Sequence, residues 1–118
     1  MNVEQRAADL QKYIQSGKVL EAMDEFYAQD CKMQENAGAP CVGLAANIER
    51  EKQFLAQVKE WKGYQVKALA TSGDVSLVES AMDFINTKGE PVHMEQVSVQ
   101  RWKDGKVVHE RFYYNAGK

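Results

Sequence analysis

Cysteine is nearly missing from the 118 residues: only Cys31 and Cys41 occur, ten positions apart, with His93 and His109 far from both. That spacing matches no zinc-ligand pattern, and no metal site is expected. A disulfide and a pair of reduced thiols both fit two cysteines; the reduced state is the expectation, and with it a cytoplasmic location. Long apolar runs are also missing. Eighteen consecutive apolar residues occur nowhere, which excludes a membrane-spanning helix. The opening MNVEQRAADL lacks the cationic lead and apolar block of a secretory signal. Charge of one sign is scarce too: the formal charge of −2 arises from interspersed signs, as in EREKQ at 49–53. Without a basic stripe no nucleic-acid partner is expected, and without an acidic run no disordered arm. Phosphate-binding loops, GxSxG elbows and internal repeats are absent as well, so any chemistry is expected to proceed without a cofactor.

What remains is the ordinary composition of a globular protein, with 44% hydrophobic and 27% charged residues. The length suits one domain, since two would each be too small to bury a core. Val3, Ala7, Leu10 and Ile14 recur at helical spacing, predicting a helix from 3 to about 15 that Ser16-Gly17 ends. A second helix is expected over roughly 18–28, with Leu20, Met23, Phe26 and Tyr27 inward. Alternation follows in CKMQEN, which puts Cys31, Met33 and Glu35 on one face of a short strand. AGAP marks a loop. Helical period returns from Leu44 to Trp61 through Ile48, Leu55 and Val58, with Phe54 and Trp61 flanking and Lys62-Gly63 as the stop.

The second half reads as strands. YQVKALAT, DVSLVESAMDFI, VHMEQVSVQRW and KVVHERFYYN are rich in β-branched and aromatic residues and are separated by SGD, KGEP and DG. Helices first and an antiparallel meander after them indicate an α+β fold, a curved and mostly antiparallel mixed sheet with three helices on one side. Such a cone leaves a concave cleft, the default place for a small organic ligand. Its convex face also carries apolar groups, and a homodimer through the sheet is the expected cover.

The order helix, helix, short strand, long helix, four strands resembles the NTF2-like superfamily, in its SnoaL-like and ketosteroid-isomerase-like branch. QKYIQSGKVLEAMDEFYAQDCKMQEN and RWKDGKVVHERFYYN carry the likeness, which spans nearly the whole chain. The resemblance implies an isomerase, cyclase or dehydratase, or a non-catalytic binding module. It places Tyr13 where ketosteroid isomerases carry an oxyanion-hole tyrosine, and Glu35 where they carry the general base. Their second oxyanion donor, a carboxylic acid, corresponds to Ser98, a departure that argues against steroid isomerisation itself. The late-strand aspartate of polyketide cyclases has no match in HERFYYN.

Tyr27, Met33 and Phe54 are expected to supply an apolar setting around Glu35, which would raise a carboxyl pKa into the working range, and Trp61 is expected to line the same cleft. The hairpin WKDGK leaves two registers open. A two-residue Asp104-Gly105 turn pairs Ser98 with Arg111 and turns His109 inward. A three-residue loop with a glycine bulge pairs Ser98 with Glu110. The resemblance favours the bulge, which directs Gln96, Ser98, Gln100, Glu110, Phe112 and Tyr114 into the cleft. Glu79 and Asp83 lie mid-strand; a gap-free count turns both inward, and the opposite parity leaves both on the dimer side, with Asp83 inward preferred.

Overall fold

A computed structural model describes residues 2–115. Its elements run α1 (Val3–Gln15), α2 (Val19–Phe26), β1 (Tyr27–Glu35), β2 (Cys41–Val42), α3 (Leu44–Leu55), β3 (Val58–Ser72), β4 (Val75–Asn86), β5 (Pro91–Lys103) and β6 (Lys106–Tyr114). The six strands form one open sheet in the order β2-β1-β6-β5-β4-β3. β1 runs parallel to β6 and every other neighbour pair is antiparallel. The three helices cover the concave face of this α+β cone.

Local chemistry sets the ends of α1. The Asn2 side chain accepts from the Gln5 N–H at 2.9 Å, capping the first turn. At the other end Gly17 takes φ +79° while the Lys18 N–H returns to the Tyr13 carbonyl at 2.9 Å, satisfying carbonyls the helix leaves open. Ala7, Leu10 and Gln11 form its buried stripe. The eight-residue α2 buries Ala22, Met23 and Phe26. These side chains meet Tyr27, Cys31, Leu44, Trp102 and Val107 in a single apolar core. Burial of each large side chain there contributes roughly 2–3 kcal/mol.

That core occupies the end of the cone nearest the β5–β6 hairpin. Moving away from it along β5, the buried Trp102 gives way to Gln100, Ser98 and Gln96. Along β6, Val107 gives way to Glu110, Phe112 and Tyr114. The inner face thus changes from apolar to polar, and the space under α3 is left open.

Three differences from the sequence expectations have physical causes. α3 ends at Leu55 instead of reaching Trp61, because residues from Val58 onward pair with β4, Trp61 standing opposite Phe84. Lys62-Gly63 therefore lies within β3, beside a bulge, and stops nothing. Tyr27 is not a helical residue but the first residue of β1. At the β5–β6 hairpin neither expected register forms. Asp104 and Gly105 both adopt positive φ (52° and 78°) in a two-residue turn that pairs Lys103 with Lys106. An extra residue then enters between the Trp102–Val107 and Arg101–His109 pairs. Ser98 consequently faces Phe112, and Gln100 faces Glu110. The six side chains expected on the concave side do share a face, in a register two residues from the bulged alternative.

No helix among the described residues is long and apolar enough to cross a membrane. Cys31 and Cys41 are both free thiols.

Candidate active site

Beneath the cleft lies a continuous chain of hydrogen-bonded side chains. Glu110 is 3% exposed. The Tyr27 phenol donates to its Oε1, and the Gln100 amide donates to its Oε2 at 2.8 Å. Gln100 Oε1 in turn accepts from the Ser76 hydroxyl at 2.6 Å, and the Ser76 oxygen accepts from Trp102 Nε1 at 2.9 Å. The indole fixes the serine, the serine fixes the orientation of the glutamine amide, and the glutamine holds the carboxylate. Burial pushes the Glu110 carboxyl up to about 7 even though its two donors favour ionisation, and the nearby Glu51 charge adds to the rise. Burial first, then the Glu110 charge, holds the Tyr27 phenol well above its ordinary value. Burial also pushes the Cys31 thiol up to about 11, which makes it a poor nucleophile.

Above this floor are two adjoining chambers. The first, about 350 Å³, opens between α3 and the ends of β1, β5 and β6, and includes Met33, Glu35, Arg50, Gln96, Phe112 and Tyr114 in its lining. The second, about 530 Å³, lies between the C-terminal end of α1, α2, α3 and β3, and includes Leu20, Leu55, Trp61 and Tyr64. Glu51, Phe54 and Met82 border both, forming a waist between them. Burial, then repulsion from Glu35, raises the Glu51 pKa. The Tyr64 phenol donates to Gln11 Oε1 at 2.7 Å, and burial raises its pKa.

Glu35 stands at the mouth of the first chamber, where β1 stops. Asn36 takes φ 51°, donates its N–H to the Phe112 carbonyl at 2.7 Å and accepts from the Tyr114 N–H through its side chain at 3.0 Å. This stitch to β6 sets the position of Glu35. Its side chain, 49% exposed, bonds Arg50 at 2.8 Å and accepts from the Tyr114 phenol. The contact with Glu35 raises the Tyr114 pKa.

The sequence-derived residues are distributed as follows. Met33, Glu35, Phe54, Gln96, Phe112 and Tyr114 line the first chamber, and Trp61 lines the second beside Phe54. Tyr27, Ser98, Gln100 and Glu110 are buried in the floor. Tyr13 is not joined to Glu35: its ring stands edge-on to Phe26 at 5.1 Å against the apolar core, and it lines neither chamber. Asp83 does not enter the cleft. It is exposed on the outer face and bonds His93 at 2.7 Å, because the adjacent Phe84 turns inward against Phe54 and Trp61. His93 also contacts Glu95 at 2.8 Å on that outer surface.

Glu51, Tyr64 and Arg50 were not anticipated. A signal for Glu51 was present, since it falls on the inward helical stripe Leu44, Ile48, Glu51, Leu55, the one charge among apolar positions. Tyr64 carried none, because its strand was expected to begin there and its facing was open. Among the described residues no three His, Cys, Asp or Glu side chains are grouped to hold a metal ion.

Three helices over one face of an open, curved mixed sheet, with a cleft under the third helix, constitute an NTF2-like cone. Residues 1–114 match the SnoaL-like domain family, and the chain belongs to it. Solved structures agree. A candidate SnoaL-like polyketide cyclase from Mesorhizobium loti is 25% identical with a TM-score of 0.83, covering 97% of this chain and 100% of its own. An NTF2-like protein of unknown function from Burkholderia pseudomallei is 15% identical with a TM-score of 0.83, covering 98% and 92%. A candidate isomerase from Bacillus subtilis is 18% identical with a TM-score of 0.81, covering 98% and 90%. No curated protein matches the sequence.

Proposed function

We propose that this SnoaL-like protein binds a small organic molecule in its cleft and transfers a proton next to a carbonyl group without a cofactor, as isomerases, cyclases and dehydratases do. One observation carries the reading: a buried carboxyl lifted to about 7 and held by a phenol, Glu110 with Tyr27. A general acid–base group works best with its pKa near the working pH. Glu110 lies two residues from Phe112 on the same face of β6, about 7 Å along the strand. A ligand seated on Phe112 and Gln96 that reaches one pleat deeper meets it. Glu110 then takes the proton as a carboxylate and returns it to a neighbouring atom, while Tyr27 donates to the developing charge. Glu35, the carboxylate suggested by family resemblance, has a different place in this reading. With Tyr114 and Arg50 it forms the rim that orients the ligand's polar end. Tyr13 supports the core beneath Phe26.

A second reading, a non-catalytic binding module, has one observation in its favour. Both Glu110 oxygens already have protein donors, and Glu110 borders neither chamber. The two readings separate in heavy water, with proton exchange followed by NMR over a panel of ketones and β-dicarbonyl compounds. The catalytic reading predicts exchange that follows a titration near pH 7 and disappears in Glu110→Gln. Exchange that persists in that variant, or none from any compound, leaves the module.

The same reading includes a homodimer in the cytoplasm. On the outer face Leu77 lies opposite Val99 and Tyr113 opposite Val97, giving an apolar strip across β4, β5 and β6 in which Leu77 and Tyr113 are exposed and the two valines half-buried. Arg111 lies over the Tyr113 ring at 4.7 Å beside it.

A further inference from the structure

The second chamber has a lining that the proton-transfer reading leaves unused. It holds two carboxylates, Glu21 and Glu51, and no lysine, arginine or histidine. The Glu51 carboxylate has no hydrogen-bond or ion-pair partner among the described residues, whereas Glu35 has Arg50 and Tyr114, and Glu110 has Tyr27 and Gln100. Aromatic rings line the same chamber. Trp61, 46% exposed, packs against Phe84 at 5.5 Å and Phe54 at 6.4 Å, and Tyr64 completes the wall. The remaining lining is largely aliphatic, from Ile14, Val19, Leu20 and Leu55. The C-terminal end of α1, through Ile14, Gln15 and the capping Ser16-Gly17, and the first turn of α2, through Val19, Leu20 and Glu21, both border this space, so their opposed helix dipoles offset and the side-chain carboxylates set its charge.

Each of these features selects against the same ligands. An anion would meet two carboxylates and no cationic side chain. A neutral apolar molecule would displace water from Glu51 and leave its charge without a partner, which is costly. A nitrogen cation with apolar substituents satisfies all three: it pairs with Glu51, lies against aromatic faces and buries its carbon surface. We propose that the second chamber is a binding site for an organic ammonium ion, with Glu51 as the counter-ion and Trp61 and Phe54 as the aromatic walls. The raised pKa of Glu51 is in keeping with a carboxylate built to receive a cation and left without one. This inference rests on the small-molecule-binding part of the reading above and not on the proton transfer.

Three probes of one shape and three charges test it: choline, its neutral isostere 3,3-dimethylbutan-1-ol, and the anion 3,3-dimethylbutanoate. Titration calorimetry on the whole chain should show choline binding about tenfold or more tightly than the alcohol, with no detectable binding of the acid. Glu51→Gln should abolish the preference for choline over the alcohol, and Trp61→Leu should weaken choline binding about threefold to tenfold. Glu79→Gln, an acid removed from the exposed outer face, should change neither. Equal affinity for choline and the alcohol, no binding of choline, or unchanged choline binding by a folded Glu51→Gln protein would each overturn the proposal. Its failure is separable from that of the proton-transfer reading. Lost ammonium binding with carbonyl exchange intact refutes only this inference. Choline binding without any exchange upholds it and refutes the catalytic reading alone.

Discussion

Glu110 shows how burial and hydrogen bonding compete at one residue. Two donors would lower its pKa, yet removal from water outweighs them and the carboxyl rises from 4.5 to about 7. Between those values the folded state binds a proton that the unfolded chain has released. Stability contributed by this group is therefore fully present below about pH 4.5 and is lost as pH rises through 7. The whole effect is on the order of 3 kcal/mol. Thermal unfolding followed between pH 5 and 8 should show a decline in the native protein that is reduced in Glu110→Gln; identical slopes would mean the carboxyl does not titrate there. Tyr27→Phe removes one donor from the charged form without changing ring packing. It should push the Glu110 titration higher still and cost about 1–3 kcal/mol in denaturant unfolding above pH 7, with a smaller loss at pH 5.

At the scale of elements, the cleft depends on two irregularities. One is the Asn36 stitch, which stops β1 and ties its end to β6. Asn36→Ala should cost about 1–2 kcal/mol, read as a lower denaturation midpoint, and should weaken ligand binding through Glu35 and Tyr114. The other is the extra residue after the Asp104-Gly105 turn, which sets Gln100 opposite Glu110. Alternation alone left the facing of these strands open between two registers and the family resemblance chose it; the observed register, two residues from the favoured one, keeps every facing because the side-chain period is two. The register itself was not legible from the sequence, because the bulge lies away from the turn that advertises it. Asp83 illustrates a different limit. Counting alone cannot choose a parity for a strand whose neighbours contain bulges, and the deciding interaction, Phe84 against Phe54, is a tertiary contact. The α3 boundary was missed for a related reason, since pairing of Val58 and Trp61 with β4 overrode a helical pattern that their spacing also fits.

For the whole molecule, helix order and a strand meander made the fold readable, as did the resemblance that the SnoaL-like match to residues 1–114 bears out. The candidate site was less readable. The family resemblance pointed to Glu35 and Tyr13, whereas the buried phenol–carboxyl pair in this chain is Tyr27 with Glu110. Glu51 was signalled only as the one charge on the helical stripe Leu44, Ile48, Glu51, Leu55. The outer face carries a further expectation. If Leu77 and Tyr113 lie at a two-fold interface, Leu77→Glu combined with Tyr113→Asp should convert a dimer to a folded monomer, seen as a halved mass by light scattering with unchanged circular dichroism. A monomer in the unaltered protein would remove the dimer from this account.

One deeply buried glutamate, Glu110, is expected to carry a proton in the neutral pH range. Carbon-13 NMR of glutamate carboxyl groups, recorded from pH 4 to 9, tests it most directly. One resonance should titrate near pH 7 and be absent from Glu110→Gln. A Glu110 carboxyl already ionised at pH 5 would contradict it.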